Sequence, residues 1–343
     1  MQSKTAPDRG LQPIGAFMKF SRRLTALALA LGAFSPFAAQ AQDYPSRNVS
    51  IVVPFGAGGG VDITARLLAE KLRSTLGGSV IVENKAGGSG MIGAQAVVKA
   101  APDGHTLLLG SAGETAINPF VYKGRMQYDP VKDLVPVTLV VRIPNVLVVA
   151  NKLPVKNTEE LIAYAKKNPG KLSYSTSGVG NPQHLNGELL EELGGIFMVH
   201  IPYRGAAGQL VDVTSGLVDM TFVSYTAAKS FIQAGKVKPI AVTSATRAPF
   251  ATDLPALAEY KPLAKYALEN WFGLFAPAGT PDAVVQKLNA AVTAALKDPE
   301  LARKLREQGG EPTPMTPAQF KDFIKKESAQ FERIVTAAKI VAE

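Results

Sequence analysis

Two hydrophobic periods take turns along this chain. Short β-branched runs give way to stretches whose apolar residues recur every three or four positions, and the exchange repeats nearly to the C-terminus. Val49–Phe55 reads as a strand and Asp62–Leu76 as a helix, with Ile63, Leu67, Leu68 and Leu72 on one face. Ser79–Glu83 is a second strand, Gly93–Ala101 a helix ending at "PDG", and His105–Gly110 a third strand. The run "VPVTLVVRIPNVLVVANK" then stays extended for unusually long. A second set begins where Asn157 caps a helix with Glu160 three residues on, a capping box ahead of Leu161, Ile162 and Tyr164. "KLSYSTSGVGNPQHLNGELLEEL" and "FMVHIPYRGAAGQLVDVTSGLVDMTFVSY" each read strand, loop, helix, and "VKPIAVTS" adds a strand. After the extended "LENWFGLFAPAGTP", the pairs Thr280-Pro281, Asp298-Pro299 and Thr316-Pro317 start three helices. Phe320, Phe323, Ile324, Phe331, Ile334 and Val335 form the buried stripe of the last one.

Alternating β and α elements argue for an α/β fold with largely parallel sheets. About 300 residues is where one core tends to split, so two lobes are expected. The extended segments near Val137–Val149 and Glu269–Ala276 suit two interlobe crossings. They divide the chain into a discontinuous first lobe, residues 44–142 plus 268–343, and an inserted second lobe, residues 143–267. Such a two-lobed α/β protein is a clamshell with a hinge of two segments.

The N-terminus changes where the protein is expected to work. From Met18, Lys19, Arg22 and Arg23 precede an apolar run from Leu24 to Ala33, and Ala39-Gln40-Ala41 supplies an A-x-A cleavage site. This is the pattern of a secretory signal peptide cleaved after Ala41, with residues 1–17 an upstream extension. No later apolar run is long enough to span a bilayer. Without cysteine there are no disulfides, so a core must supply the stability. Part of the formal charge of +9 belongs to the signal, and the remaining basic residues interleave with acids, as in "KDFIKKES". No dense basic run with stacking aromatics of the nucleic-acid type occurs. A mild positive balance suits an anionic small ligand.

The chemistry concentrates in "VPFGAGGGVDITAR". A dinucleotide site would use Gly56-x-Gly58 after the strand and Glu83 on the ribose, but the third glycine position falls on Val61. A Walker A loop fails because no Gly-Lys-Ser/Thr follows. Four glycines within five residues do more than a tight turn requires. They let a ligand approach bare backbone beside the N–H groups of a helix start, which defines an anion site without naming the anion. "STSGVGNPQHL", Ser175–Leu185, is either a second such loop, with hydroxyls and N–H groups for an oxyanion, or an ordinary capped turn.

"VPFGAGGGVDITAR", "VIVENKAGGSGMIGAQAV", "DGHTLLLGS", "STSGVGNPQHLNGELL", "HIPYRGAAGQLVDVTSGLVDMTF" and "NWFGLFAPAGTP" together resemble, in order and spacing, the substrate-binding proteins of tripartite tricarboxylate transporters, the Bug receptor family. The resemblance runs from about Tyr44 to the C-terminus. It implies a periplasmic binding protein fold, type II-like, whose lobes close on a small carboxylate for delivery to membrane transporter subunits, with no cofactor and no metal. It also implies that two loops hold the ligand: Phe55, Gly56, Ala57, Gly58, Gly59 and Gly60 with Asp62, and Thr176, Ser177 and Gly178 with His184 nearby. Ser111 and Tyr203-Arg204-Gly205 are expected to face the cleft from strand ends. Asn181-Pro182 departs from the small residues of many members, and proline there removes a donor.

Several residues carry two readings. Asp62 either accepts from a ligand amino group or satisfies N–H groups at its own helix start. Arg204 either pairs with a carboxylate or holds its loop. Arg66 is expected to make a structural or interlobe ion pair, and Trp271 to belong to a lobe core more than to the cleft. His105, His184 and His200 are widely separated, with no metal or triad spacing, and no catalytic motif occurs. The expectation is a monomeric receptor, not an enzyme; the alternative of a different class is an exported hydrolase of carboxylic esters or amides.

Overall fold

The computed structural model describes residues 2–3, 44–203 and 206–341. The signal segment, Arg204 and Gly205 lie outside the described residues.

The first sheet is opened by β1 (Val49–Val53), which feeds α1 (Gly60–Leu76), followed by β2 (Val80–Asn84), α2 (Met91–Val98) and β3 (Thr106–Ser111). Then β4 (Leu134–Ile143) leads through Pro144 into β5 (Asn145–Ala150), which belongs to the other sheet. The second set is α3 (Thr158–Lys167), β6 (Ser173–Thr176), α4 (Pro182–Gly194), β7 (Val199–Pro202), α5 (Ala206–Ser215), β8 (Met220–Ser224), α6 (Tyr225–Gln233) and β9 (Val237–Val242). The chain returns along β10 (Asn270–Pro277) and ends with α7 (Asp282–Leu296), α8 (Pro299–Glu307), β11 (Glu311–Pro312) and α9 (Pro317–Ala337). Strand order is β11-β4-β10-β3-β1-β2 in one sheet and β7-β6-β8-β5-β9 in the other.

The sheets are mixed rather than largely parallel. β1 pairs in parallel with β2 and β3, and β6 with β7 and β8, as βαβ units require. The crossing strands break the pattern. β10 runs antiparallel to β3 and β4, and β5 antiparallel to β8 and β9. The reason is connectivity: β4 carries the chain out of the first sheet, so the strand bringing it back beside β4 runs the other way. The one long extended segment seen in the sequence is two strands in two sheets.

Alternation within strands assigns each residue to a core. Ile51, Val53, Leu107 and Leu109 pack with Leu68 and Leu72 of α1 and Leu288 and Val292 of α7. Val52 and Leu108 point to the opposite face, into a second cluster that holds Trp271, Phe275 and Phe320. That cluster also contains Leu147, Tyr174 and Phe222 of the other sheet, together with Leu185 and Leu189 of α4. One apolar core therefore runs through both sheets. The last helix joins them: its Phe320, Phe331, Ile334 and Val335 are buried in that cluster, and its Arg333 pairs with Glu192 of α4 at 2.8 Å. The far face of the second sheet packs Val146 and Val148 on Leu210 and Val213 of α5. Trp271 is 1% exposed and meets Phe320 and Phe323 edge-on, the core position expected of it.

Candidate functional site

The parallel strands of both sheets end on the side where the sheets adjoin, and the glycine loops start there. After Val53 the chain bends at Pro54-Phe55 and exposes Gly56, Ala57, Gly58 and Gly59 before α1 begins at Gly60. Only Gly58 in this run has a left-handed φ, +81°. A Cβ on Gly56 or Gly58 would meet nothing within 4 Å, so packing does not exclude side chains there. Gly59 caps the helix with an extended backbone and no side-chain acceptor. Among the described residues no acceptor meets the N–H groups of Gly59, Gly60 and Val61, which leaves the first-turn donors of α1 available.

Asp62 holds this loop from behind. It is 2% exposed, and its carboxylate accepts from the Gly58 N–H at 2.9 Å, Arg66 Nε at 3.0 Å and Asn84 Nδ2 at 2.9 Å. Asn84 Nδ2 also donates to the Phe55 carbonyl at 3.1 Å, so the β2 end ties down both ends of the turn. Burial pushes the Asp62 carboxyl up, but Arg66, the Gly58 N–H and Asn84 outweigh it and hold it below the usual range. Arg66 is structural: it serves Asp62 and Asn84, both beside the first sheet.

Ser111, at the end of β3, is 3% exposed and turned toward a residue the sequence did not single out. Its N–H and its Oγ both donate to the Glu114 carboxylate, the latter at 2.6 Å. Glu114 is fully buried in the turn Gly113–Ile117. Desolvation raises its carboxyl to about 7 against the Ser111 donors. Gly90 and Gly110 leave room for it, since a Cβ on either would come within 3.0 and 3.1 Å of its oxygens.

In the second loop Thr176 is buried, Ser177 exposed and Gly178 half-buried with φ +139°. Asn181 Oδ1 caps α4 by accepting from the His184 N–H at 3.0 Å, with Pro182 at the first helical position. Proline costs the loop no donor that the helix would have used. Gln183 Oε1 accepts from both Ser177 N–H, at 2.6 Å, and Ser177 Oγ, at 2.9 Å.

Below this loop the structure joins residues far apart in sequence. His184 and His200 stack with centroids 3.8 Å apart. His184 Nδ1 accepts from the Gly180 N–H at 3.1 Å, so its proton lies on Nε2, 3.2 Å from Glu188, which also accepts from Tyr174 OH at 2.8 Å. His200 Nε2 lies 2.6 Å from Thr176 Oγ1, which itself donates to the Gly178 carbonyl at 2.9 Å. Burial, then His184, press His200 down to about 3 against the pull of Glu188. His184 thus sits behind the loop, 6% exposed, with both ring nitrogens engaged within the chain. Tyr203 donates its N–H to the Thr176 carbonyl at 2.7 Å and its hydroxyl to Asp212. Burial and Asp212 push Tyr203 up to about 12.

The second loop meets the first half through residues missed in the sequence. Tyr122 OH lies 2.8 Å from Ser89 Oγ and donates to the Val179 carbonyl at 3.4 Å. A Cβ on Gly178 would sit 3.6 Å from Ser89 Oγ, and one on Gly180 2.7 Å from Val121. On the other flank Thr226 Oγ1, at the start of α6, donates to the Gln308 carbonyl beyond α8. Ser89 has φ +51°, rare for a non-glycine residue, but a single sequence gives no sign of it. Among the described residues no group of three or more His, Asp or Glu is placed to hold a metal ion. No helix there is long and apolar enough to cross a membrane.

Two α/β halves joined by crossing strands, with a donor-bearing glycine loop and a second Ser/Thr/Gly loop at their adjoining strand ends, define a solute-binding receptor of the periplasmic type. Residues 64–340 match the model of the tripartite tricarboxylate transporter family receptor, and the chain belongs to that family. It is 35% identical over 342 residues to a UPF0065 protein in the tcbD-tcbE intergenic region of Pseudomonas sp. (strain P51), covering 100% of this chain and 99% of that one. Among solved structures, R. palustris Rpa4515 with adipate superposes with a TM-score of 0.82 at 38% identity, covering 86% of this chain and 98% of that one. MatC (Rpa3494) from Rhodopseudomonas palustris with bound malate gives 0.78 at 32%, covering 85% and 100%. The family consists of receptors, which decides against the hydrolase reading.

Proposed function

We propose that the chain, exported through the signal beginning at Met18 and cleaved after Ala41, captures a short dicarboxylate between its halves and delivers it to membrane subunits of a tripartite tricarboxylate transporter. It acts as a monomer whose lobes are residues 44–142 plus 268–343 and residues 143–267. The observation that carries the reading is the pair of loops at the adjoining sheet ends, with the free N–H groups of Gly59, Gly60 and Val61 on one side and the Thr176–Gly178 turn on the other. The first loop is suited to one carboxylate, because its free backbone donors hold an oxyanion without a buried countercharge; in the second loop a carboxylate takes the place of Gln183 Oε1 on the Ser177 N–H and Oγ. Adipate and malate in two similar proteins support the dicarboxylate class.

Phe55, Gly56, Ala57, Gly58, Gly59 and Gly60 form the first grip, with Asp62 shaping it. Thr176, Ser177 and Gly178 form the second, backed by His184; Tyr203, Arg204 and Gly205 are assigned to the ligand from the sequence, and Ser111 supports the β3 end through Glu114. Arg204 adds the one formal positive charge of the set. The mechanism is a shift of an open–closed equilibrium by a ligand that touches both loops.

A thermal-shift panel of mono-, di- and tricarboxylates, amino acids, aromatic acids and NAD, on protein unfolded and refolded to remove carried-over ligand, tests this. A dicarboxylate at about 100 times its Kd is expected to stabilise the fold by about 2.7 kcal/mol, or several degrees. Stabilisation by NAD, with none by any carboxylate, would sink the proposal.

A further inference from the structure

A cavity of about 570 Å³ lies on the far flank of the crossing strands, away from both glycine loops. Its volume falls in the range of about 300–1,000 Å³ common to small-molecule sites. Arg142, Glu269, Arg306 and Glu311 line it from the first sheet and α8, and Tyr225, Lys229, Arg247 and Phe250 from the second half. None of the residues proposed for the carboxylate grip belongs to its wall. The Thr226–Gln308 hydrogen bond stands between the cavity and the start of α1 at Gly60.

The wall has two characters. One side is apolar: Tyr225 and Phe250 face each other with centroids 4.8 Å apart, beside Pro144, Ala248 and Pro249. The other is cationic, with five Lys or Arg side chains against three glutamates. Each glutamate already has its own arginine: Glu269 with Arg142 at 3.2 Å, Glu307 with Arg303 at 2.5 Å, Glu311 with Arg306 at 2.8 Å. Arg247 is held by Glu259, outside the wall, at 2.8 Å. Lys229 makes no ion pair among the described residues, although it stands one helical turn from Tyr225 on α6. A half-buried lysine beside an aromatic pair is complementary to an anion that carries an apolar body.

We propose that this cavity is a second small-molecule site, taking an organic monoanion with an aromatic or compact apolar body. The body stacks on Tyr225 and Phe250, and the anionic group meets Lys229. The α8–β11 turn packs on the same aromatic pair, since a Cβ on Gly309 would lie 3.1 Å from Tyr225 Cβ and 3.6 Å from the Phe250 ring. An occupant is therefore gripped from both sheets at once and opposes any change of angle between them.

The test titrates the full chain with 4-fluorobenzoate, read by fluorine NMR line width, with inorganic phosphate as the anion lacking a body. Wild type is expected to bind the fluorobenzoate and not to be displaced by phosphate. Lys229→Glu is expected to weaken binding by at least about tenfold, equivalent to 1.4 kcal/mol. Phe250→Ser, which removes the ring but no charge, is expected to do the same, with circular dichroism melts confirming that both variants fold. Gly58→Val, in the first glycine loop, is expected to leave the affinity within about twofold. Absence of binding at about 10 mM probe overturns the proposal, as does binding unchanged by Lys229→Glu. Loss in Gly58→Val also overturns it, because the probe then occupies the cleft between the glycine loops.

Discussion

Gly58 and Gly56 look alike in the sequence and differ in what the backbone asks of them. Gly58 sits at φ +81°, where a β-branched side chain is strained, whereas Gly56 has an ordinary φ and open space around its Cβ position. Gly58→Val is expected to reduce ligand affinity by at least about hundredfold while the exposed loop costs the fold only about 1–2 kcal/mol. Gly56→Ala is expected to change stability by less than about 0.5 kcal/mol. Calorimetric titration with the dicarboxylate found in the thermal screen, alongside melts, separates the two; unchanged affinity in Gly58→Val rules out the loop assignment. Glu114 gives a pH prediction. Its carboxyl rises from 4.5 to about 7 on folding, so folding favours its protonated form. Its contribution is complete below about 4.5 and lost as pH climbs through about 7. Glu114→Gln, neutral throughout, is expected to gain on wild type across that window by an amount on the order of 3 kcal/mol. Urea denaturation at pH values bracketing the window checks it, and a constant difference between the two proteins contradicts it. Ser111 was legible as a strand-end residue, but its partner was not, because a glutamate three residues on reads as a solvated turn.

At the level of elements, capping and periodicity marked helices well and pairing direction poorly. Asn157, Asp298 and Thr316 cap the helices they were expected to start, because a side-chain oxygen that satisfies a helix-start N–H is a local event. The first helix starts two residues before Asp62, at Gly60, since Asp62 reaches back to Gly58 rather than acting as the cap. The antiparallel course of β10 and β5 is set by which strand lies beside which, and hydrophobic alternation is the same for either direction. Close approach between elements was equally hidden. Gly273 in β10 lies under the Phe320 ring of α9, where a Cβ would come 2.1 Å from Cζ. Gly273→Ala is expected to destabilise the fold by about 1–3 kcal/mol through overpacking. A urea midpoint equal to wild type would show that α9 yields more readily than its burial implies.

Across the whole molecule, the two halves share a core and meet again at the second loop. Tyr122 is the polar contact there, touching Ser89 on its own side and Val179 on the other. Tyr122→Phe keeps the ring and removes both hydrogen bonds, so it is expected to weaken ligand binding about three- to tenfold by loosening the second loop against the first half. The melting temperature without ligand is expected to stay within about two degrees of wild type. An equal loss of stability with and without ligand would instead make Tyr122 a packing residue. The alternation of strands and helices, the glycine loops and the family could be read before any coordinates, because these rest on local spacing and on ordered blocks of residues. The stacking of His184 on His200 beneath the second loop, the burial of Glu114 behind Ser111, and the apolar core that runs through both sheets emerged with the folded chain. The ring stack and the shared core join residues distant in sequence, whereas Glu114 is close to Ser111 along the chain and owes its charge state to burial, which depends on what packs over it from elsewhere.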